Sequence, residues 1–291
     1  SLFFQGLNQG VDFVGGRSYV VRFEKEVNPS EVSRSLTDIF GSVEVKTFGD
    51  ENQLKITTNY KVDVEGIEVD NEIQNKLFNG LKTYLNDQIN YDSFVKGNEE
   101  KQIGIMSSIK VGPTIADDIK KNSFLAVLGS LIVVFLYILF RFRKWQFSLG
   151  AVAAVFHDVL LVLGIFSIAY KIMPFNMEIN QAFIAAILTV IGYSLNDTVV
   201  VFDRIREYIN EHSNWEFNTT VDSALNSTLS RTLNTSLTTL IVLISIFIFG
   251  GESIRGFMFA LIVGVLVGTY SSVFIATPVM FDSLRINNQK K

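Results

Sequence analysis

Five apolar runs crowded into the second half constrain this chain more than any other feature. They are Phe124–Phe140, Phe147–Ile172, Ala182–Phe202, Leu229–Phe249 and Ile254–Phe281. A helix needs roughly 17–25 mainly apolar residues to cross the hydrocarbon core of a bilayer. In that solvent every backbone amide must be satisfied within the segment, so such runs fold as helices. Residues 1 to about 120 are instead mixed and charged. The expected fold class is an α-helical membrane bundle of five spans (about 120–140, 146–172, 181–203, 229–250 and 254–282) behind a small α+β domain.

The charged part carries its own signals. The Asp12-Phe-Val-Gly-Gly16 segment ends in paired glycines, which suit a sharp turn or a close backbone approach. Arg17–Glu24 alternates as a strand. At Asn28-Pro-Ser-Glu31, Asn28 is a cap, Pro29 sits at the first helical position and Glu31 would close a capping box. That helix should end near Phe40-Gly41. Val43–Phe48 and Gln53–Thr58 predict a hairpin around Gly-Asp-Glu-Asn. A helix from about Val69 places Ile73, Leu77, Leu81 and Leu85 on one face, and Ile103–Val111 predicts the last strand. The order β-α-β-β-α-β over 17–112 is that of a ferredoxin-like split βαβ unit. Nothing in it forms a catalytic constellation, and its charges predict a solvated face or a surface that touches another protein.

Composition excludes several chemistries. There are no cysteines, so neither disulfides nor thiolate chemistry is available. The two histidines, His157 and His212, are too far apart for a zinc-protease motif. No metal or cofactor site is expected, and a net charge of −4 argues against a nucleic-acid partner. An intramembrane aspartyl protease would need a Gly-x-Gly-Asp signature that the chain lacks. The opening Ser-Leu-Phe-Phe-Gln-Gly looks like a protease-site scar or the end of a preceding helix, so residues 1–16 are expected to lead out of a span not in this sequence.

Lys and Arg set the orientation. Arg141, Arg143 and Lys144, then Arg204, Arg206 and Arg231, then Arg285, Lys290 and Lys291 fall on one side. The alternate connections hold only Lys171 and Arg255. The basic side is expected in the cytoplasm, with the connection 204–228 and the tail 285–291, and the α+β domain on the periplasmic face. The polar stretch Glu207–Asp222, with Tyr208, Ile209, Trp215 and Phe217 interleaved, predicts a short amphipathic element on that inner surface.

Ionisable residues inside spans are costly and point to function. His157-Asp158 falls in the second run and Asp197 in the third. Arg231 lies early in the fourth, inside the polar run Asn226–Thr239. Asp197 and Arg231 approach from the same side to a similar depth, so a pair between them is expected. That pair could relay protons or simply clamp two helices. His157 could equally hydrogen-bond a neighbouring helix. Ser194, Asn196 and Thr198 could polarise or hydrate a path beside Asp197. Gly192, and Gly264 with Gly268 in a G-x-x-x-G face, predict close helix packing. Gly112-Pro113 is a natural hinge between the domain and the bundle.

Four stretches carry a resemblance: Gly10-Val-Asp-Phe-Val-Gly-Gly16, His157-Asp158, Ile191–Glu207 and Leu229–Thr239. Together they make the chain similar to the SecF family of protein-export membrane proteins, or to the SecF-like half of a fused SecDF, of the resistance-nodulation-division superfamily. The resemblance implies pairing with SecD or a SecD-like half in a twelve-span unit. It further implies an inner-membrane location, work with the Sec translocon channel on unfolded preproteins, and YajC and YidC among the neighbours. The coupling ion would be the proton, with Asp197 and Arg231 in its pathway. The family has six spans per half, the first before the Asp-Phe-x-Gly-Gly motif; here five are present. Two further readings are a structural or assembly subunit without ion coupling, and a small-molecule exporter of the same superfamily, which would need larger external domains.

Overall fold

The structure, a computed structural model of the chain, describes residues 6–64, 66–96, 103–173 and 175–289. The first five residues and the tail residues Lys290 and Lys291 lie outside the described residues. The chain opens with a single helical turn, α1 (Val11–Val14), which runs through Gly15 into strand β1 (Gly16–Arg22). Helix α2 (Pro29–Phe40) and strands β2 (Val43–Phe48) and β3 (Asp50–Thr58) follow. Helices α3 (Ile67–Leu81) and α4 (Tyr91–Lys96) lead to strand β4 (Gly104–Val111). The sheet order is β2-β3-β1-β4 and every neighbouring pair is antiparallel.

Local chemistry sets these boundaries. Asn28 caps α2 by accepting from the Ser30 amide at 2.9 Å, with Pro29 in the first turn. The reciprocal bond expected from Glu31 is not among the hydrogen bonds of the described residues. Helix α2 buries Val32, Leu36 and Phe40, and α3 buries Ile73, Leu77 and Leu81. With Tyr19, Val21, Phe23, Leu54 and Ile56 from the sheet they form one core, each side chain contributing about 1.5–3 kcal/mol. Leu85 does not extend the α3 stripe, because the chain tightens into a 3₁₀ turn at Lys82–Tyr84. The turn of the hairpin is shorter than expected and its second strand longer: β3 begins at Asp50, so Gly49 at φ 86° makes the turn almost alone.

Gly16 explains the second glycine of the pair. Its φ is 131°, and a Cβ there would lie 2.7 Å from the Thr58 carbonyl oxygen on β3. Gly16→Ala should therefore cost about 2 kcal/mol or more, from strain and from a forced shift of β3. Thermal melting of the purified variant would measure it, and an unchanged midpoint would refute the assignment.

At the edge of the same domain, buried Arg17 donates to Asp70 Oδ1 at 2.9 Å and Lys110 donates to Asp70 Oδ2 at 2.9 Å. Burial opposes the charge on Asp70, but the hydrogen bonds from Lys110 and Arg17 outweigh it and hold the carboxyl below its usual value. A depressed folded value means that this stabilisation is complete above the unfolded value of about 3.9 and is lost as pH falls through the lower folded value. The difference in melting temperature between wild type and Asp70→Asn should accordingly close on acidification below about pH 4. A gap that persists in strong acid would count against it.

Five helices of the second half are long and apolar enough to span a membrane. They are α5 (Pro113–Phe142), α6 (Trp145–Ala169), α7 (Gln181–Glu211), α8 (Phe217–Phe249) and a continuous last span. That span comprises α9 (Glu252–Ser271), a π-helical segment at Ser272–Ala276 and α10 (Thr277–Gln289). The amphipathic surface element expected over Glu207–Asp222 is absent as such: α7 runs on to Glu211 and α8 starts at Phe217. His212 packs with tilted rings on Trp215 (4.0 Å) in the short turn between these helices, and Phe217 at the start of α8 stacks on Phe281 of α10 (5.0 Å). Arg141, Asp203 and Arg206 interlock at this end, with Arg141–Asp203 and Arg206–Asp203 at 2.9 and 2.8 Å. The sheet sits at the opposite end.

Candidate functional site

Helix α7 brings three polar side chains into the bundle. Ser194, Asp197 and Thr198 are all buried, at i, i+3 and i+4 on one face. Asp197 is 3% exposed, in a helix whose other buried residues include Val190, Ile191, Val201 and Phe202. Its carboxylate Oδ2 accepts from Ser236 Oγ on α8 at 3.5 Å. Ser236 Oγ also lies 2.6 Å from Thr269 Oγ1 on α9, and Tyr193 donates its hydroxyl to Ser236 at 3.4 Å. Thr198 meets Ser272 at 3.0 Å, where the π-helical segment begins. Such bulges inside long helices recur at functional sites.

A second carboxylate, on α6, meets α7 at Ser194. Asp158 is 1% exposed, and its Oδ2 accepts from Ser194 Oγ at 2.6 Å and Ser271 Oγ at 2.8 Å. His157 Nδ1 is 3.2 Å from the other oxygen, and its ring lies 6.3 Å from that of Tyr270. Asp158 thus joins α6, α7 and α9 by hydrogen bonds that satisfy a buried carboxylate. Ser194 belongs to both polar clusters, since its carbonyl oxygen accepts from Ser272.

The expected Asp197–Arg231 pair is not formed. Among the described residues no ion pair or hydrogen bond joins them, and Arg231 is exposed. The cause is helical phase: on α8 the inward stripe is Thr228, Thr232 and Ser236, and Arg231 is rotated about 100° from Thr232. Asn196 is likewise exposed on α7. Gly192 does not pack against another helix among the described residues, which leave nothing within 4 Å of its Cβ position. Gly264 and Gly268 do pack closely: a Cβ at Gly264 would lie 2.0 Å from Val190 Cγ2, and one at Gly268 3.0 Å from Ser194 Cβ. The G-x-x-x-G face thereby presses α9 against the stretch of α7 that carries the site.

The N-terminal end of α7 is tied to the glycine motif and to the sheet. Asp12 Oδ2 accepts from the Gln181 amide at 3.0 Å, and Asn180 caps the same turn through the Phe183 amide. Gly10 N–H donates to the Ile179 carbonyl and the Ile179 N–H to that of Asn8. Lys55 on β3 reaches Glu178 at 2.5 Å, both largely buried. Glu252 at the start of α9 accepts from the Asn176 amide at 2.8 Å. Gly112 is the single residue between β4 and α5, with Pro113 at the first helical position and Val11, Val111 and Ala116 packed around the junction.

Ser236 is one of several hydroxyls in the polar run of the fourth span and carries no signal of its own. The Thr-Tyr-Ser-Ser interruption directly after Gly268 is a visible break in an apolar run and is the signal for Thr269, Ser271 and Ser272. Lys55 and Glu178 carried no local signal. Their contact depends on how the sheet sits on the bundle.

Together these features define a multi-pass helical membrane protein whose bundle encloses two carboxylates in a network of hydroxyls. A family model for the C-terminal part of the protein export membrane proteins SecD/SecF matches residues 91–285, and one for the SecD/SecF GG motif matches residues 1–27. The chain belongs to the SecD/SecF family of protein-export membrane proteins. It is 45% identical over 283 residues to the protein translocase subunit SecF of Rhodothermus marinus, covering 97% of this chain and 85% of that one. A SecDF of Brucella abortus is 44% identical over 64% of this chain and 24% of its own. A crystal structure of SecDF in a super-membrane-facing form superposes with a TM-score of 0.64 at 30% identity. That alignment covers 99% of this chain and 36% of the SecDF chain, so the present chain spans about a third of it.

Proposed function

We propose that this chain is an accessory subunit of the Sec protein-export machinery, seated in the inner membrane, that uses the proton gradient to help move preproteins across. Asp197 takes up and releases the proton. The observation that carries this reading is a carboxylate, buried at mid-bundle, whose only hydrogen-bond partner among the described residues is a neutral hydroxyl. A charge in that setting is costly unless a proton or a moving partner offsets it. The names of the relatives, translocase subunits SecF and SecDF, support the export role.

A SecD-like half is the natural partner. Arg231, Asn234 and Thr238 on α8 and Asn196 on α7 are exposed in helices apolar enough to span, and polar groups facing hydrocarbon call for a covering surface. Arg231 would then serve Asp197 from the interface between halves, not through a pair inside this one. The sheet domain, with its split βαβ order, is read as ferredoxin-like and periplasmic, because the basic cluster lies at the opposite end. Clamps at Asp12–Gln181 and Lys55–Glu178 would carry movement of that domain to α7, with Gly112-Pro113 as the link to α5.

The test is export of a preprotein into proteoliposomes holding the chain, its SecD-type partner and the translocon channel, with and without an uncoupler. Stimulation that depends on the chain should vanish when the gradient collapses. Stimulation that survives uncoupling would overturn ion coupling and favour a structural subunit that only stabilises the translocon.

A further inference from the structure

The hydroxyls around Asp197 do not have enough hydrogens for every contact they make. Ser236 has one hydrogen and two acceptors in reach, Asp197 Oδ2 at 3.5 Å and Thr269 Oγ1 at 2.6 Å. Thr269 also has one hydrogen and two acceptors, Ser236 Oγ and the Val265 carbonyl at 2.8 Å. Hydroxyl hydrogens rotate to suit their partners, so the chain has two complete arrangements. With Asp197 charged, Ser236 donates to the carboxylate, and Thr269 turns to donate to Ser236. With Asp197 protonated, the carboxyl donates to Ser236 Oγ, Ser236 donates to Thr269, and Thr269 donates to the Val265 carbonyl. Ser236 and Thr269 each use their single hydrogen in both arrangements.

We propose that Ser236 and Thr269 form a two-state hydroxyl switch that holds Asp197 in both protonation states and passes the change from α7 through α8 to α9. Ser236 is the positioning residue and Thr269 its reporter on the last span. No bond other than hydrogen bonds changes, and the only proton gained or lost is the one on Asp197. The proposal rests on Asp197 being the proton carrier.

A mainly apolar groove of ≈ 370 Å³ runs between α8 and α9, and Thr232, Ser236 and Thr269 are the hydroxyls at its base. The Thr232 hydroxyl, buried one turn before Ser236, has no hydrogen-bond partner among the described residues. The titratable side chains around the contact are Tyr193 on α7, Arg231 on α8 and Tyr270 on α9. Across Ser194 lie Asp158 and His157 on α6. Among the described residues none of these donates directly to Asp197.

The experiment compares Ser236→Ala, Ser236→Thr and Thr269→Val with Asp197→Asn in the complex assembled with its SecD-type partner. Proton flux in proteoliposomes and the infrared carbonyl band of protonated Asp197, identified by its loss in Asp197→Asn, are both read. Ser236→Ala should lower flux about tenfold, the scale of one lost hydrogen bond to a charged group, and move the band to higher frequency. Ser236→Thr should restore both to within threefold and to the original position. Thr269→Val should shift the band in the same direction by less. A flux in Ser236→Ala within threefold of wild type overturns the switch, and so does a loss that Ser236→Thr fails to recover at unchanged melting temperature. If Ser236→Ala does not fold, an unmoved band in Thr269→Val overturns it and a moved one supports it. If Asp197→Asn itself leaves flux intact, the reading of Asp197 has failed first, a result distinct from failure at Ser236 alone.

Discussion

Asp197→Asn is expected to reduce gradient-driven stimulation of export by about 100-fold or more, since a required acid–base group commonly contributes on that scale. The protein should still insert and keep its melting temperature. Asparagine has nearly the shape of aspartate, and its carbonyl can still accept the hydrogen from Ser236 that now reaches Asp197. What it loses is the ability to change charge. Removing a buried charge with no direct ion-pair partner among the described residues also lowers the cost of folding, so the midpoint should stay level or rise slightly. Dye-monitored proton uptake and preprotein protection in the same vesicles separate the two effects. Wild-type stimulation in the variant would sink the mechanism and leave the chain as a stabilising subunit.

The elements that could be read from the sequence are those whose signals are local. Asn28-Pro29 states a helix start by its own chemistry, and five apolar runs state five spans by length alone. Asp197 stands out because a carboxylate interrupts one of those runs. Helix faces were harder. The run Asn226–Thr239 carries a leucine stripe, Leu229, Leu233 and Leu237, that faces outward in the structure, so apolar periodicity is no guide to the inward face, which Thr232 and Ser236 form while Arg231 turns out. Gly192 and Gly264 look alike in the sequence, yet of the two only Gly264 meets another helix among the described residues. Asp12 is read as part of a turn, whereas its carboxylate caps α7, 169 residues further on. Contacts of that kind follow from assembly of the sheet on the bundle and leave no trace in either segment.

Gly264→Val is expected to destabilise the bundle strongly and to disturb the site with it. A Cβ there would already stand 2.0 Å from Val190 Cγ2, 2.8 Å from Cγ1 and 3.0 Å from Cβ, on a buried side chain with its own packing partners. Neither helix can yield cheaply, because α7 and α9 are also joined through Ser194, Asp158 and Ser271. Overpacking of this kind costs about 1–3 kcal/mol, or several degrees in melting temperature for a protein of this size. Displacing α9 would also pull Thr269 from Ser236, so proton flux should fall with stability. The cause can be isolated by a cycle of Gly264→Ala with Val190→Ala: the double variant should recover most of the loss, with a coupling of about 0.5–3 kcal/mol. Gly192→Val is the matched control. Nothing lies within 4 Å of its Cβ position, so the isolated chain should melt as wild type, and any defect should emerge only when a second helical half is assembled against that face. Equal damage from both substitutions in the isolated chain would refute the helix-facing assignments on which the site rests.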